Sequence, residues 1–414
     1  MHLDPAMPAL VGALLAILAV GLLLRLLRQP HVVGYLLVGV GLGPHGLALI
    51  TDEPTLSRLG SVGVMLLLFF VGMEVHPREL MRGWKVAVFG TGLGTLLIVA
   101  GVALIGTWRD WPMGRVVLLG FIVSLSSTAV VLKLLGDARE LESRIGQGVL
   151  SILLAQDLAL IPMLVIISLL GGDNLSGGQM AAQLAGTAVI AGVVGWMIRS
   201  PRISLPWLRS LRGDHEMEVF AALAFCLTLA LVTGLTGLST ALGAFLAGML
   251  VGTAHEGDWI HRHLAPFQVV FLALFFVSVG MLLDLGFLRE SFTLALLLVM
   301  LVLIAKTAVN AVLLRLLHTN WRDGLYAGAL LAQIGEFSFV LAAVGLQAGL
   351  IGRYGYQMGI SVITLSLAVS PLWIAAFRIL TGQRRRPLTP LEPDFPAGRV
   401  ESPASPAGSV TRPE

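Results

Sequence analysis

The chain has 414 residues, 56% of them hydrophobic and only 12% charged, where a soluble domain carries about 25% charged residues. With a mean hydropathy of +0.89, that composition excludes an ordinary water-soluble domain and indicates a polytopic membrane protein. The net charge of +3 sits in the connections between apolar runs and gives no ground for a nucleic-acid partner. The lone cysteine, Cys226, excludes an intramolecular disulfide and a cysteine metal cluster, and reads as a small buried hydrophobe.

In chain order, apolar runs bounded by Gly, Pro and charged loops predict thirteen membrane spans. They cover 7–27, 31–48, 57–75, 84–106, 115–135, 145–170, 180–199, 217–235, 239–253, 265–283, 292–317, 324–348 and 356–380. The first is long enough to cross and lacks a small-residue cleavage site, so it reads as a span and not as a removable signal. The eighth and ninth are divided only by the hexapeptide GLTGLS at 234–239. With the C-terminus placed inside, the inner connections carry most of the Lys and Arg, including Arg25, Arg28, Arg78, Arg82, Lys85 and Arg384 to Arg386. The outer ones hold Arg58, Arg109, Arg115, Arg289 and Arg353. That asymmetry places the C-terminus in the cytoplasm of a cell whose inner (plasma) membrane holds the protein. The Pro-, Ser- and Gly-rich stretch 382–414 cannot bury a core and reads as a disordered tail, its three arginines an anchor at the inner leaflet.

The sixth span carries one acid. From 144 to 170 the chain reads RIGQGVLSILLAQDLALIPMLVIISLL, and Asp157 lies in its middle. At ~1.5 Å per residue, a carboxylate 13 residues from each end of a 27-residue run is ~20 Å from either, near the bilayer midplane. A charge there costs several kcal/mol and marks an ion or proton path, or else a carboxylate satisfied by neighbouring polar groups. Pro162, five residues on, removes a backbone hydrogen bond to the Leu158 carbonyl; this either loosens carbonyls for an ion or is an ordinary kink.

The second half echoes the first. GYLLVGVGLG at 34–43 matches GAFLAGMLVG at 243–252 at an offset of 209, and LLLFFVGMEV at 66–75 matches LALFFVSVGML at 272–282 at nearly the same offset. Two six-helix halves joined by a lone seventh helix face opposite ways, the inverted repeat of secondary transporters. The same offset carries Ser124 to Thr128, including Ser126 and Ser127, onto Gln333 to Phe337, including Glu336. Small and polar groups in mid-span at both places predict two helices broken at membrane depth, whose freed backbone groups face a polar cavity or each other.

These segments resemble the membrane domain of the Kef-type cation:proton antiporters. The resemblance runs through SLSSTAVVLK at 124–133, LLAQDLALIP at 153–162, GAFLAGMLVG at 243–252, APFQVVFLALFFVSVGM at 265–281 and LLAQIGEFSFVL at 330–341. Each segment is weak alone, but the five in order are specific. The family fold implies a core domain, 84–170 with 292–380, and a scaffold of 7–75 with 217–283 that carries the contact of a homodimer, with 180–199 as linker. Family function implies exchange of K+ or Na+ for H+, with no enzyme activity and no cofactor. By match, Asp157 is the ion-binding carboxylate and Gln156 the neighbour found in potassium-exchanging members. Ser127 and Thr128 fall on the first broken helix, Glu336 on the second, and Lys306 on the family's intramembrane lysine. Two departures stand out. Nothing after Arg386 resembles the family's nucleotide-binding domain, so glutathione gating is not carried over, and a regulatory subunit would be a separate cytoplasmic chain. Gly335 stands where members often have Ser.

A mechanism follows from charge. Desolvation disfavours a bare Asp157 carboxylate. A proton or an alkali cation neutralises it, so the two compete, and the neutralised site crosses the membrane most cheaply. Gln156 adds a carbonyl oxygen but no second charge, so one carboxylate predicts electroneutral 1:1 exchange, with K+ favoured by its weaker hydration and Na+ as the alternative. Lys306 needs an anion or carbonyls: Glu336, the broken-helix carbonyls and Asp157 are all open to it. Lys133 reads as a snorkelling anchor and Glu74 as a solvated cap near the inner surface. His255, His261 and His263 with Glu256 and Asp258 form either a pH sensor or a solvated loop. A gated potassium channel is the rival class, but a channel does not need a lone titrating carboxylate. An intramembrane hydrolase is excluded by the lack of GxGD, HExxH and GxSxG.

Overall fold

The computed structural model describes residues 6–26, 31–49, 53–74, 87–138, 140–141, 143–171, 177–200, 214–254, 257–316 and 320–383. The tail from 384 onward, His255 and Glu256 lie outside the described residues. The described chain is all-α. Its first bundle is built from α1 (Ala6–Leu26), α2 (His31–Leu42) and α3 (Glu53–Glu74), with α9 (His215–Leu235), α10 (Thr240–Thr253) and α11 (Gly257–Met281). The second holds α4 (Leu93–Trp108), α5 (Met113–Ser124), α6 (Thr128–Ala138) and α7 (Arg144–Leu170), with α13 (Phe292–Leu316), α14 (Trp321–Leu330), α15 (Phe337–Gln347) and α16 (Arg353–Leu380). Helix α8 (Gly177–Arg199) runs between them, and the short α12 (Leu285–Glu290) links α11 to α13. Among the described residues, six helices are long and apolar enough to cross a membrane: those spanning 90–108, 145–170, 180–199, 216–235, 292–316 and 353–380.

Each predicted span holds helix, and the local chemistry explains several of the starts. Ser143, Asp214, Asp284 and Asn320 accept the backbone N–H three residues on, at 3.0, 3.2, 3.0 and 2.9 Å, and so cap α7, α9, α12 and α14. The fourth span opens with a π-helical turn, Ala87–Gly92, whose Thr91 hydroxyl reaches the Ile152 carbonyl on α7 at 3.4 Å. Pro162 lies inside α7, which is helical from end to end, so the proline does not break the span.

Packing within the first bundle depends on close backbone approach. Helices α3 and α10 cross with Gly72 and Gly248 facing each other, and a Cβ on Gly248 would collide with the Phe69 carbonyl. In lipid the hydrophobic effect gives little force between helices, so small residues that permit such approach supply the contact. The bundles meet through a continuous buried core, where the rings of Phe276 on α11 and Phe339 on α15 pack edge to face at 5.7 Å.

Candidate functional site

The fifth and twelfth spans are broken, as the mid-span polar runs predict. Helix α5 stops at Ser124, whose hydroxyl turns back onto the Phe121 carbonyl at 2.9 Å. Leu125 is extended, with φ −71° and ψ 140°, and α6 restarts at Thr128. The Ser127 Oγ accepts from the Val130 N–H at 3.3 Å and serves as the cap of α6. Helix α14 stops at Leu330, and α15 restarts at Phe337 with Glu336 as its N-cap residue.

The two breaks cross and satisfy each other. The Gly335 N–H donates to the Leu125 carbonyl at 3.0 Å, the Ser126 hydroxyl to the Leu331 carbonyl at 2.7 Å, and the Ser338 hydroxyl to the Ile122 carbonyl at 2.7 Å. Helix α16 adds Ser366, whose Oγ accepts from the Ile334 N–H at 3.2 Å. Backbone groups freed at membrane depth are thus re-bonded within the protein, as a lipid environment demands. A Cβ at Gly335 would stand 2.6 Å from the Ser126 carbonyl oxygen, so the two segments of backbone touch there.

Charges sort themselves by helix end. Lys306 on α13 is fully buried, and its Nζ donates to the carbonyls of Leu125 at 2.7 Å and Gln333 at 2.9 Å. Those carbonyls follow the C-terminal ends of α5 and α14, where the helix dipole is negative. Of the three partners open to Lys306 from sequence, the structure selects the broken-helix carbonyls. The acids lie at the opposite ends. Asp157, half-buried on α7, accepts from the Thr128 hydroxyl at 3.2 and 3.4 Å, at the first residue of α6. Glu336, half-buried at the start of α15, accepts from the Ser127 hydroxyl at 2.7 Å. Both carboxylates face positive helix N-termini, and adjacent hydroxyls, Ser127 and Thr128, join them into one chain.

Gln156 differs from the sequence expectation. Its side-chain carbonyl accepts from the Ser126 N–H at 2.9 Å, so one lone pair holds the first break in place and one remains. Gln333 is fully buried; its amide nitrogen donates to the Ser127 carbonyl at 3.4 Å, and its Oε1 is buried without a hydrogen-bond partner. Asp157, Gln156, Ser126, Ser127, Thr128, Gln333, Glu336 and Lys306 therefore form one assembly around the crossing. Ser338 and Ser366 also belong to it and were missed from sequence. Ser338 could have been found by its distance of two residues from Glu336, but Ser366 carries no local signal.

The other candidates lie elsewhere. Lys133, read from sequence as lying at the end of its span, is half-buried in the middle of α6. Glu74, exposed at the end of α3, accepts from Gln268 at 3.1 Å. Cys226 is fully buried in apolar surroundings. His263 is exposed, and the side chains of Asp258 and His261 lie outside the described residues.

Comparison with known proteins converges on one family. Residues 10–379 match the family described as "Sodium/hydrogen exchanger, transmembrane". The chain is 36% identical over 370 residues to the iron transporter MagA of Paramagnetospirillum magneticum, covering 89% of this chain and 85% of that one. It is 32% identical to K(+) efflux antiporter 5 of Arabidopsis thaliana and 31% identical to the glutathione-regulated potassium-efflux protein KefC of Escherichia coli. Those alignments cover 85% and 82% of this chain, and the chain spans 63% and 55% of the lengths of these two relatives. In fold it resembles the sodium proton antiporter MjNhaP1 of Methanocaldococcus jannaschii, with a TM-score of 0.62 over 92% of this chain and 100% of that one, at 17% identity. The chain belongs to the sodium/hydrogen exchanger transmembrane family, as a cation:proton antiporter membrane domain of the Kef type.

Proposed function

We propose that the protein exchanges K+ for H+ electroneutrally, one for one, with Asp157 as the group that holds either ion. The observation that carries this reading is the setting of Asp157. It lies in mid-helix at a crossing of broken helices, and its hydrogen-bond partner is a neutral hydroxyl, not a lysine or arginine. Lys306 is engaged with main-chain carbonyls. The carboxylate is thus left to be neutralised by a mobile ion, and proton and cation exclude one another there. Around it stand oxygen donors suited to an alkali ion: Thr128, Ser127 and the remaining lone pair of Gln156. Glu336 is a supporting charge and Asp157 the exchanging carboxylate, so a single charge moves in each direction.

In this reading the second bundle is the moving core, the first is the scaffold and carries a homodimer contact, and α8 is the linker. The halves are inverted repeats, and alternating access carries Asp157 between the two faces. The protein lies in the inner membrane with its C-terminus in the cytoplasm, on the side where a separate regulatory subunit would meet it. The family description and the MjNhaP1 fold support Na+ as the second candidate. Iron, named for MagA, fits the site less well. Its donors are oxygens, which suit hard cations, and among the described residues no group of three or more His, Cys, Asp or Glu could hold a metal.

The test is exchange in proteoliposomes with K+, Na+, Li+ and Rb+ across a range of pH. K+ and Rb+ are expected to collapse an imposed pH gradient at a rate independent of membrane potential, and Asp157→Asn to abolish the flux. A rate that rises steeply with imposed potential contradicts the 1:1 stoichiometry, and Na+ in place of K+ overturns the cargo while leaving the mechanism.

A further inference from the structure

One face of the molecule carries a set of hydrogen bonds that tie the two bundles together. It is the face where α7 and α15 end and α16 begins. Gln357, in the first turn of α16, spans the seam with both ends of its amide. Its Nε2 donates to the Leu282 carbonyl at 2.7 Å, and its Oε1 accepts from the Asp284 N–H at 3.2 Å. Residues 282–284 lead from α11 to α12, so one side chain of the second bundle holds the main chain where it leaves the first. Asp284 is itself held: its carboxylate caps α12 through the Phe287 N–H and lies 3.7 Å from His45.

A second tie lies nearby in depth. Ser168, buried near the end of α7, accepts the Ser239 N–H from the α9–α10 turn at 3.2 Å. Its carbonyl accepts from the buried Gln183 on α8 at 2.6 Å, and the same Gln183 nitrogen donates to the Gly237 carbonyl of that turn at 3.0 Å. Core, linker and scaffold meet in this one knot. Gln347, the last residue of α15, adds a longer contact to Ser61 on α3 at 3.5 Å.

Except for the exposed Gln347–Ser61 pair, these are contacts of amide and hydroxyl side chains with main-chain groups across the seam. They have the chemistry of a latch. Each such contact satisfies a buried or half-buried backbone donor or acceptor while the seam is shut, and each can be exchanged for water at modest cost when it opens. Apolar packing alone would not mark a single register so sharply. We propose that Gln357 is a positioning residue for exchange: with the Ser168–Gln183–Ser239 knot it holds this face closed, and these bonds break in every turnover. The proposal rests on the alternating-access reading above, in which this face is the outer one.

The experiment uses the full chain in membrane vesicles with Cys226→Ser and a reporter, Leu283→Cys, placed in the seam where the leucine is 6% exposed. A membrane-impermeant maleimide is added outside, and the initial labelling rate is read. Gln357→Leu keeps the bulk and removes both hydrogen bonds, and is expected to raise that rate about fivefold. Gln357→Glu is the second variant. Its protonated acid can donate to the Leu282 carbonyl, so its labelling rate divided by the parent's at the same pH, which cancels the thiol's own pH dependence, should be near one in acid and several-fold higher near neutral pH, in one and the same folded protein. Equal rates in Gln357→Leu and the parent, with a Gln357→Glu to parent ratio that does not change with pH, overturn the latch. The same changes seen only with reagent on the cytoplasmic side leave the latch and overturn the orientation. Cation exchange by the parent in the same vesicles is scored separately, so a failure of the exchange reading is not mistaken for a failure of the latch.

Discussion

Asp157 and Lys306 show how differently two buried charges are handled at one crossing. The lysine is bonded twice, to carbonyls of both broken spans. The aspartate is bonded once in kind, to a hydroxyl. A fully bonded ammonium is a structural part, and Lys306→Met leaves two buried carbonyls bare. It is expected to lower stability by about 3 kcal/mol, read as a fall in the melting temperature of the purified protein; an unchanged melt would show that the carbonyls find other partners. A lightly held carboxylate is free to trade ligands. Thr128→Val removes its hydroxyl at nearly constant volume and is expected to raise the cation KM about fivefold with little change in kcat, measured in proteoliposomes. Asp157 was legible because one acid in a long apolar run has no other ready explanation. The partner of Lys306 was not, because three acceptors at similar depth are equivalent until the helices are placed. The role of Gln156 was half legible. Its carbonyl was identified as a donor set for an ion, but sequence cannot show that one lone pair already belongs to the Ser126 N–H.

At the scale of the element, the breaks are the site. Polar runs in mid-span and the 209-residue offset were enough to foresee both, because helix interiors in lipid do not carry SLSST or QIGEF without a use for freed backbone groups. The pairing of Ser127 with Glu336 follows the same offset. What the sequence could not reveal was the length of each gap, 125–127 on one side and 331–336 on the other, or the contribution of Ser366 from α16, since both depend on how the neighbouring helices cross. The π-helical turn at Ala87–Gly92 was also hidden, because its residues, two glycines among them, carry no signal specific to that turn. Gly335 makes the crossing close. Gly335→Ala is expected to push the second break off the Ser126 carbonyl by a few tenths of an ångström and to slow exchange roughly tenfold, with expression retained. Full activity in that variant would mean that the breaks tolerate separation.

Taken as a whole, the molecule reads as two bundles of different character. The first is zipped by glycines, with backbone against backbone at Gly72 and Gly248, and suits a rigid support. The second carries the crossing, and at one end its own helices are clamped together: Arg378 on α16 pairs with Glu140 at 3.0 Å, and Tyr326 on α14 donates to the same carboxylate at 2.8 Å. Such a clamp lets the second bundle move as one body. Composition alone made the membrane assignment, and each stretch that hydropathy marked holds helix. The division into bundles came from the family resemblance, because nothing in a single apolar helix says which neighbour it will pack against.

The central claim is that Asp157 holds a proton or an alkali cation but never both. It is tested most directly by counting protons released when K+ is added to the purified, weakly buffered protein. The account predicts one proton released per chain as the site fills, none from Asp157→Asn, and an apparent K+ affinity that weakens about tenfold for each pH unit on the acid side of the titration. Binding of K+ without proton release, or equal release from the Asp157→Asn protein, would contradict it.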